Sequence, residues 1–302
     1  MTFHKSRIFG LVFTISTLIY AILLLKSIGS EGDTEKISAI LNIKTLAILL
    51  ALYSCHFISE PFRWTLYSSL SKGKTDFFTI FACFNITALL SYSLPLKLGL
   101  PIRLALLSRY LKLKSSAIIK MMGIESTLFI IFWGIYALSL IVSSPEISHL
   151  LDKKIQHQFF IGVTLIIIFS ILLASIIKKR DTLQRILTEI PLLFLTTIIM
   201  SLLVDISLYG VRHIIISNAL GIEIEPTIMF SIGIISIFAG IISALPMGLG
   251  AYDACLILLL KLYGIEIEIA LIVALSNRLG TILASFVLGV PSAIFLWAFK
   301  RG

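Results

Sequence analysis

Charged side chains that stand alone in apolar surroundings are the residues of this chain with chemistry to offer. Glu125 and Arg278 each lie inside a long apolar run. One is eight residues in from a basic end (125 − 117 = 8), the other ten in from an acidic end (278 − 268 = 10). At ~1.5 Å of rise per helical residue, both sit roughly 12–15 Å deep in a membrane. A charge at that depth costs roughly 2.5–3.5 kcal/mol on insertion scales, so ion pairing or ligand binding is the expected use of each. The two suit either a mutual pair or two charges on the wall of one cavity. Asp205 and Arg212 are seven residues apart (212 − 205 = 7), two turns along one helical face. Arg212 has a stem long enough to snorkel toward a surface; the short Asp205 does not.

Two proline–glycine breaks supply the remaining candidates. Leu94-Pro95-Leu96-Lys97-Leu98-Gly99 and Leu245-Pro246-Met247-Gly248-Leu249-Gly250 share a spelling and are offset by half the chain (250 − 99 = 151). Interrupted helices at matching places in two halves of a membrane protein point to a substrate path. Gly248 and Gly250 permit a left-handed turn or a close backbone approach. A helix starting near Ala251 would present free amides to an anion such as a lipid phosphate. Tyr252 and Asp253 follow the second break, and Arg103 follows the first in the matching place.

The elements that must hold these residues are membrane helices. Of the 302 residues, 58% are hydrophobic and 14% charged, and mean hydropathy is +1.04. Apolar surface on that scale needs lipid as its solvent. No segment has the polar composition of a soluble catalytic domain, so residues 1–302 read as a single integral membrane domain. The basic net charge of +9 fits cytoplasmic loops and anionic headgroups, and nucleic acid is not an expected partner.

Basic clusters mark the cytoplasmic side. They are His4/Lys5/Arg7, Arg63/Lys72/Lys74, Lys97/Arg103/Arg109/Lys112/Lys114, Lys178/Lys179/Arg180/Arg185 and Lys300/Arg301. Glu31/Asp33/Glu35, the loop 145–157, Glu223/Glu225 and Glu266/Glu268 should face outward. Spans are expected at 8–28, 39–59, 117–142, 158–177, 190–217 and 268–298. The first resembles a signal peptide but lacks a small-x-small cleavage site, so it is expected to be retained.

The runs 76–94 and 227–245 each begin and end on one side. Hairpins 76–113 and 227–263, either re-entrant or full crossings with a short return, resolve both. Non-helical backbone at membrane depth must be buried or line a wet cavity, so the hairpin tips should meet inside. The segment 97–114 interleaves bases with Leu100, Ile102, Leu104, Leu107, Leu111 and Leu113, the pattern of an amphipathic helix at the inner headgroups. The fold expected is an all-α polytopic membrane protein with six full spans plus two hairpin helices. The arrangement is an inverted 3+3 repeat, with repeat one about 1–145 and repeat two about 146–302. Both termini should be cytoplasmic. Beyond the breaks the offset grows by two, placing Glu125 opposite Arg278 (278 − 125 = 153).

Other chemistry finds little support. Cys55, Cys83 and Cys255 lie in apolar runs without metal-ligand spacing and read as buried hydrophobes. His149 and His157 are spaced poorly for a metal, and His56 and His213 near span ends read as interfacial. No nucleophile-elbow, zinc-protease or nucleotide-binding motif is present. No catalytic residue, metal or cofactor is expected.

At these same residues the chain resembles the lysylphosphatidylglycerol synthase transmembrane region, a flippase-like inner-membrane family. The first half resembles it through Asn85, Leu94-Pro95, Gly99, Arg103 and Glu125. The second half does so through Leu245-Pro246-Met247-Gly248-Leu249-Gly250-Ala251-Tyr252, then Gly264 and Asn277-Arg278. Leu100 stands where the family usually has an acidic residue, and Ser126 where Arg often follows Glu. The resemblance implies a prokaryotic cytoplasmic-membrane protein that moves or binds a lipid: a phospholipid, aminoacyl-lipid, hopanoid or lipid-linked sugar. Lysyl transfer is not implied.

The leading expectation is a lipid translocase. Its substrate-binding residues would be Asn85, Pro95, Lys97, Gly99, Arg103, Glu125, Asp205, Pro246, Gly248, Gly250, Tyr252, Asp253, Asn277 and Arg278. Membrane lipids, anionic or lipid-linked, are the expected partners. The competing expectations are a membrane enzyme using Asp253 or Glu125 as base, and a non-catalytic partner of a lipid-modifying enzyme.

Overall fold

A computed structural model of the chain describes residues 42–70, 76–93, 99–111, 114–143, 192–243 and 250–299. Those residues form eight helices and no strand. They are α1 (Ile43–Leu70), α2 (Phe77–Ser93), α3 (Gly99–Leu111), α4 (Ser115–Ser143), α5 (Leu192–Ala219), α6 (Pro226–Ile242), α7 (Ala251–Leu262) and α8 (Ile267–Phe299). Helix is the form that satisfies backbone donors and acceptors within one segment in lipid. Hydroxyls inside the helices do likewise by bonding back one turn: Ser91 to the Thr87 carbonyl, Ser236 to Ile232 and Ser276 to Ile272.

Four helices are long and apolar enough to cross a membrane, at Lys44–Ser68, Ser115–Val142, Thr196–Ala219 and Ile267–Ala298. They overlap the expected spans at 39–59, 117–142, 190–217 and 268–298, the first of them running nine residues further than expected. The expected spans at 8–28 and 158–177 lie outside the described residues. So do Pro95, Lys97, Pro246 and Gly248 of the two breaks, and with them the proposed meeting of the hairpin tips.

α1 corrects one reading. It runs on to Leu70 through Glu60 and Pro61, so Arg63 is a buried residue of a spanning helix rather than part of a cytoplasmic flank. The proline lacks the N–H that would bond the Phe57 carbonyl, and the helix tolerates that single loss. Downstream, the Thr65 hydroxyl donates to the Pro61 carbonyl at 2.9 Å.

α2 and α3 fold back on each other. Gly99 packs against Ser91 and Thr87, and four residues on the Arg103 guanidinium lies 4.1 Å over the Phe84 ring. Rising residue numbers on α3 thus meet falling numbers on α2, the pairing of antiparallel helices. α6 and α7 are likewise packed together. α8 lies along α2, and Gly289 makes that approach possible. A Cβ there would sit 2.7 Å from the Leu89 Cβ and 2.9 Å from the Asn85 carbonyl oxygen.

Two apolar cores result. One gathers Tyr53, Trp133, Phe238, Leu256 and Val273; the other gathers Trp64, Ile80, Phe84, Leu107 and Leu202. Large apolar side chains such as Phe78, Val142, Met200 and Trp297 face outward. That is the reverse of what water would select, and it suits lipid.

Candidate functional site

His56, Ser59, Glu60 and Arg63 follow one another at helical spacing along one side of α1. This polar stripe faces Glu125 of α4 and Asp205 of α5. Around it lies a cavity of about 370 Å³, within the range common for small-ligand sites. His56, Glu60, Arg63, Arg103, Glu125 and Tyr209 make its polar wall. Leu100, Met122, Phe129 and Ile241 make its apolar side.

Arg63 is the centre of the network. Its Nε donates to Glu125 Oε1 at 3.3 Å, and its Nη1 donates to Asp205 Oδ2 at 2.5 Å and Ser201 Oγ at 3.1 Å. One guanidinium therefore serves two carboxylates, and both pairs are nearly dehydrated, with side-chain exposures of 3% for Arg63 and 0% for Asp205. Further donors complete each acid. The Trp64 indole donates to Glu125, and the Ser59 hydroxyl donates to Asp205. His56 Nδ1 lies 3.1 Å from Asp205 Oδ1, and its Nε2 lies 2.9 Å from the Tyr209 hydroxyl. Buried carboxylates persist when cations and donors saturate them in this way.

Arg103 closes the cavity from α3. Its Nη1 donates to Glu60 Oε1 at 2.6 Å, and this pair is more open, at 15% and 30% exposure. The Arg103 Nε is buried without a hydrogen-bond partner.

A second polar cluster joins α5, α7 and α8. Arg278 grips Asp253 with two bonds, Nε to Oδ1 at 2.8 Å and Nη2 to Oδ2 at 2.5 Å. Asp253 also accepts from the Gly250 amide at 3.2 Å, where Gly250 has φ +83°. The helix start expected to meet an anion thus already meets its own carboxylate. Beside it, Tyr53 donates to the Asn277 carbonyl and side-chain oxygens, each at 2.7 Å. The Asn277 amide donates to the Tyr252 hydroxyl at 2.9 Å, which lies 2.9 Å from His213 Nε2.

Between the two clusters, Arg212 is stacked over the rings of Tyr53 at 4.2 Å and Tyr209 at 3.9 Å. It is 1% exposed, so it does not snorkel. Among the described residues no carboxylate lies within salt-bridge distance of it.

Glu125 and Arg103 thus reach the cavity wall, and Asp205 stands directly behind it. Tyr252, Asp253, Asn277, Arg278 and Gly250 belong to the second cluster. Glu125 and Arg278 do not pair; each has a different partner. Gly99 is buried at the foot of α3. Asn85 bonds the Phe81 carbonyl of its own helix at 2.8 Å and sits at the α2–α8 contact. His56, Glu60, Arg63, Tyr209 and Arg212 were not among the expected binding residues. The signal that would have found three of them is the helical spacing that puts His56, Glu60 and Arg63, with Ser59, on one side of α1. Contrary to the interfacial reading, His213 is fully buried, and His56 is a working member of the network. Among the described residues, no three His, Cys, Asp or Glu gather as a metal site.

Compared with known proteins, residues 7–289 match the model of a family described as the lysylphosphatidylglycerol synthase TM region. No curated protein matches the chain, and no solved structure does.

Proposed function

The chain belongs to the lysylphosphatidylglycerol synthase TM region family, and from that membership and the charged cavity we propose that it is a flippase-like lipid translocase of a prokaryotic cytoplasmic membrane. Six full spans and two hairpins would form an inverted 3+3 repeat with both termini cytoplasmic. Four long apolar helices and the antiparallel α2–α3 pair support that architecture.

In this reading a polar or anionic headgroup enters the cavity while its acyl chains stay in the bilayer. Arg103 is the first contact, because it is the more exposed of the two cavity arginines and its Nε is free to donate. A headgroup phosphate would compete with Glu60 for that guanidinium, which matches planar anions with paired donors. The apolar side formed by Leu100, Met122 and Phe129 suits the glycerol ester region. No bond is made or broken, so the protein acts as a translocator rather than an enzyme.

The observation that carries this reading is a cavity of about 370 Å³ walled by two arginines and two glutamates, among helices apolar enough to span a membrane. The test is reconstitution in liposomes with headgroup-labelled phosphatidylglycerol and a quencher confined to the outside. Quenching beyond the outer half, reduced in Arg103→Ala, is expected. Quenching that stops at half, in native lipid extract and under an imposed proton gradient as well, would reject the translocase.

A further inference from the structure

We propose that His56 carries a proton into the site together with each anionic headgroup, so that lipid movement is coupled to proton movement. This rests on the translocase reading and adds the co-substrate and its binding residue.

The geometry of His56 suits a group that gains and loses a proton in place. Its Nδ1 faces Asp205, an acceptor, and therefore keeps its hydrogen. Its Nε2 faces the Tyr209 hydroxyl at 2.9 Å. A hydroxyl donates or accepts by rotating. Tyr209 thus donates to the neutral ring and accepts from the protonated one, and neither state loses a hydrogen bond. His56 also lines the cavity, so a proton from water has a route to Nε2.

Charge balance supplies the reason for uptake. Around His56 stand three guanidiniums, of Arg63, Arg103 and, stacked on Tyr209 outside the cavity wall, Arg212, and three carboxylates, of Glu60, Glu125 and Asp205. With His56 neutral the sum is zero. Arg278 and Asp253 cancel one another separately. A phosphodiester entering this low-dielectric space adds one negative charge, and a proton on His56 restores neutrality.

The shared Arg63 provides the coupling. When Arg63 turns toward a phosphate, Asp205 loses its guanidinium, and imidazolium at His56 takes over as counter-ion. Every neighbouring element contributes to the balance at His56. α5 brings Asp205, Tyr209 and Arg212; α4 brings Glu125; α3 brings Arg103; α1 itself brings Glu60 and Arg63. α2 adds the neutral Tyr92 against Phe57, and α8 adds Asn277 on Tyr53. On release of the lipid, the proton returns to water from Nε2.

The test uses the full chain in nanodiscs of neutral lipid, weakly buffered with a pH indicator, titrated with short-chain phosphatidylglycerol. Binding is followed in the same sample by calorimetry. About one proton should be taken up per lipid bound, and a zwitterionic phosphatidylethanolamine should cause no uptake. His56→Gln should bind more weakly and take up none. Binding of phosphatidylglycerol without proton uptake, or full uptake in His56→Gln, overturns the coupling and leaves the translocase standing. No binding of any lipid rejects the translocase, and the coupling falls with it.

Discussion

Arg103 with Glu125, and Asp253 with Arg278, each follow one of the two Pro-Gly breaks, with the order of signs reversed. In the second half the two charges meet in a bidentate grip, and the Gly250 amide joins them. In the first half they do not meet. Arg103 turns to Glu60, Glu125 turns to Arg63 and Trp64, and both line the cavity. What separates the halves is α1, which brings an extra acid and an extra base to one side. A charge pair given outside partners becomes a site; left alone with itself it becomes a clamp.

The comparison can be broken most forcefully at Arg63. Arg63→Ala leaves two buried carboxylates without their guanidinium and should cost about 3–5 kcal/mol, read as a lowered unfolding temperature in detergent. Adding Glu125→Gln and Asp205→Asn to it should recover most of that stability while lipid binding stays lost. Recovery of binding as well would mean that the buried acids take no part in the site.

The clamp should show a smaller effect of a different kind. Asp253→Asn loses a charge-assisted grip that is part-exposed, so about 1–2 kcal/mol is expected, with lipid affinity unchanged. The exchanged double variant, Asp253→Arg with Arg278→Asp, should restore much of the loss. If either variant abolished binding at preserved stability, the second cluster would be part of the site, and the contrast between halves would fail.

The smallest structural effect belongs to Arg103→Ala, which breaks a part-exposed pair held by one hydrogen bond rather than two and should cost about 1 kcal/mol. Its effect on phosphatidylglycerol affinity should be about tenfold or more, because charge-assisted bonds to phosphate are among the strong ones. An unchanged affinity, measured by calorimetry, would move first contact away from α3.

Some members of the two polar clusters could be read from the chain because a charge inside an apolar run is conspicuous. Glu125, Asp205 and Arg278 stood out for that reason, and all three have buried or part-buried ion-pair partners. Arg63 did not stand out. Glu60-Pro61 ends the apolar run before it, and Lys72 and Lys74 follow, so it resembled a flank. The missing information was that α1 continues through the proline. Partner choice was also illegible: Glu125 pairs with Arg63 across 62 residues and Asp205 across 142. No local pattern encodes which of several acids a distant arginine meets. The four long helices were legible because their length and composition must match a bilayer.

Within the described residues α2 and α6 are apolar and 17 residues long each, which gives about 25 Å against a hydrocarbon layer of ~30 Å. Lipid reaches them at few exposed residues, such as Phe78 of α2 and Ile242 of α6, and a bilayer answers mismatch there by thinning. A headgroup near these helices therefore has less oil to cross than one in undisturbed membrane, whatever the cavity does for it. For a translocase, short helices would thus make the thickness of the membrane a variable of the rate. Transport should slow as the acyl chains of the host liposome are lengthened, with protein and headgroup held constant.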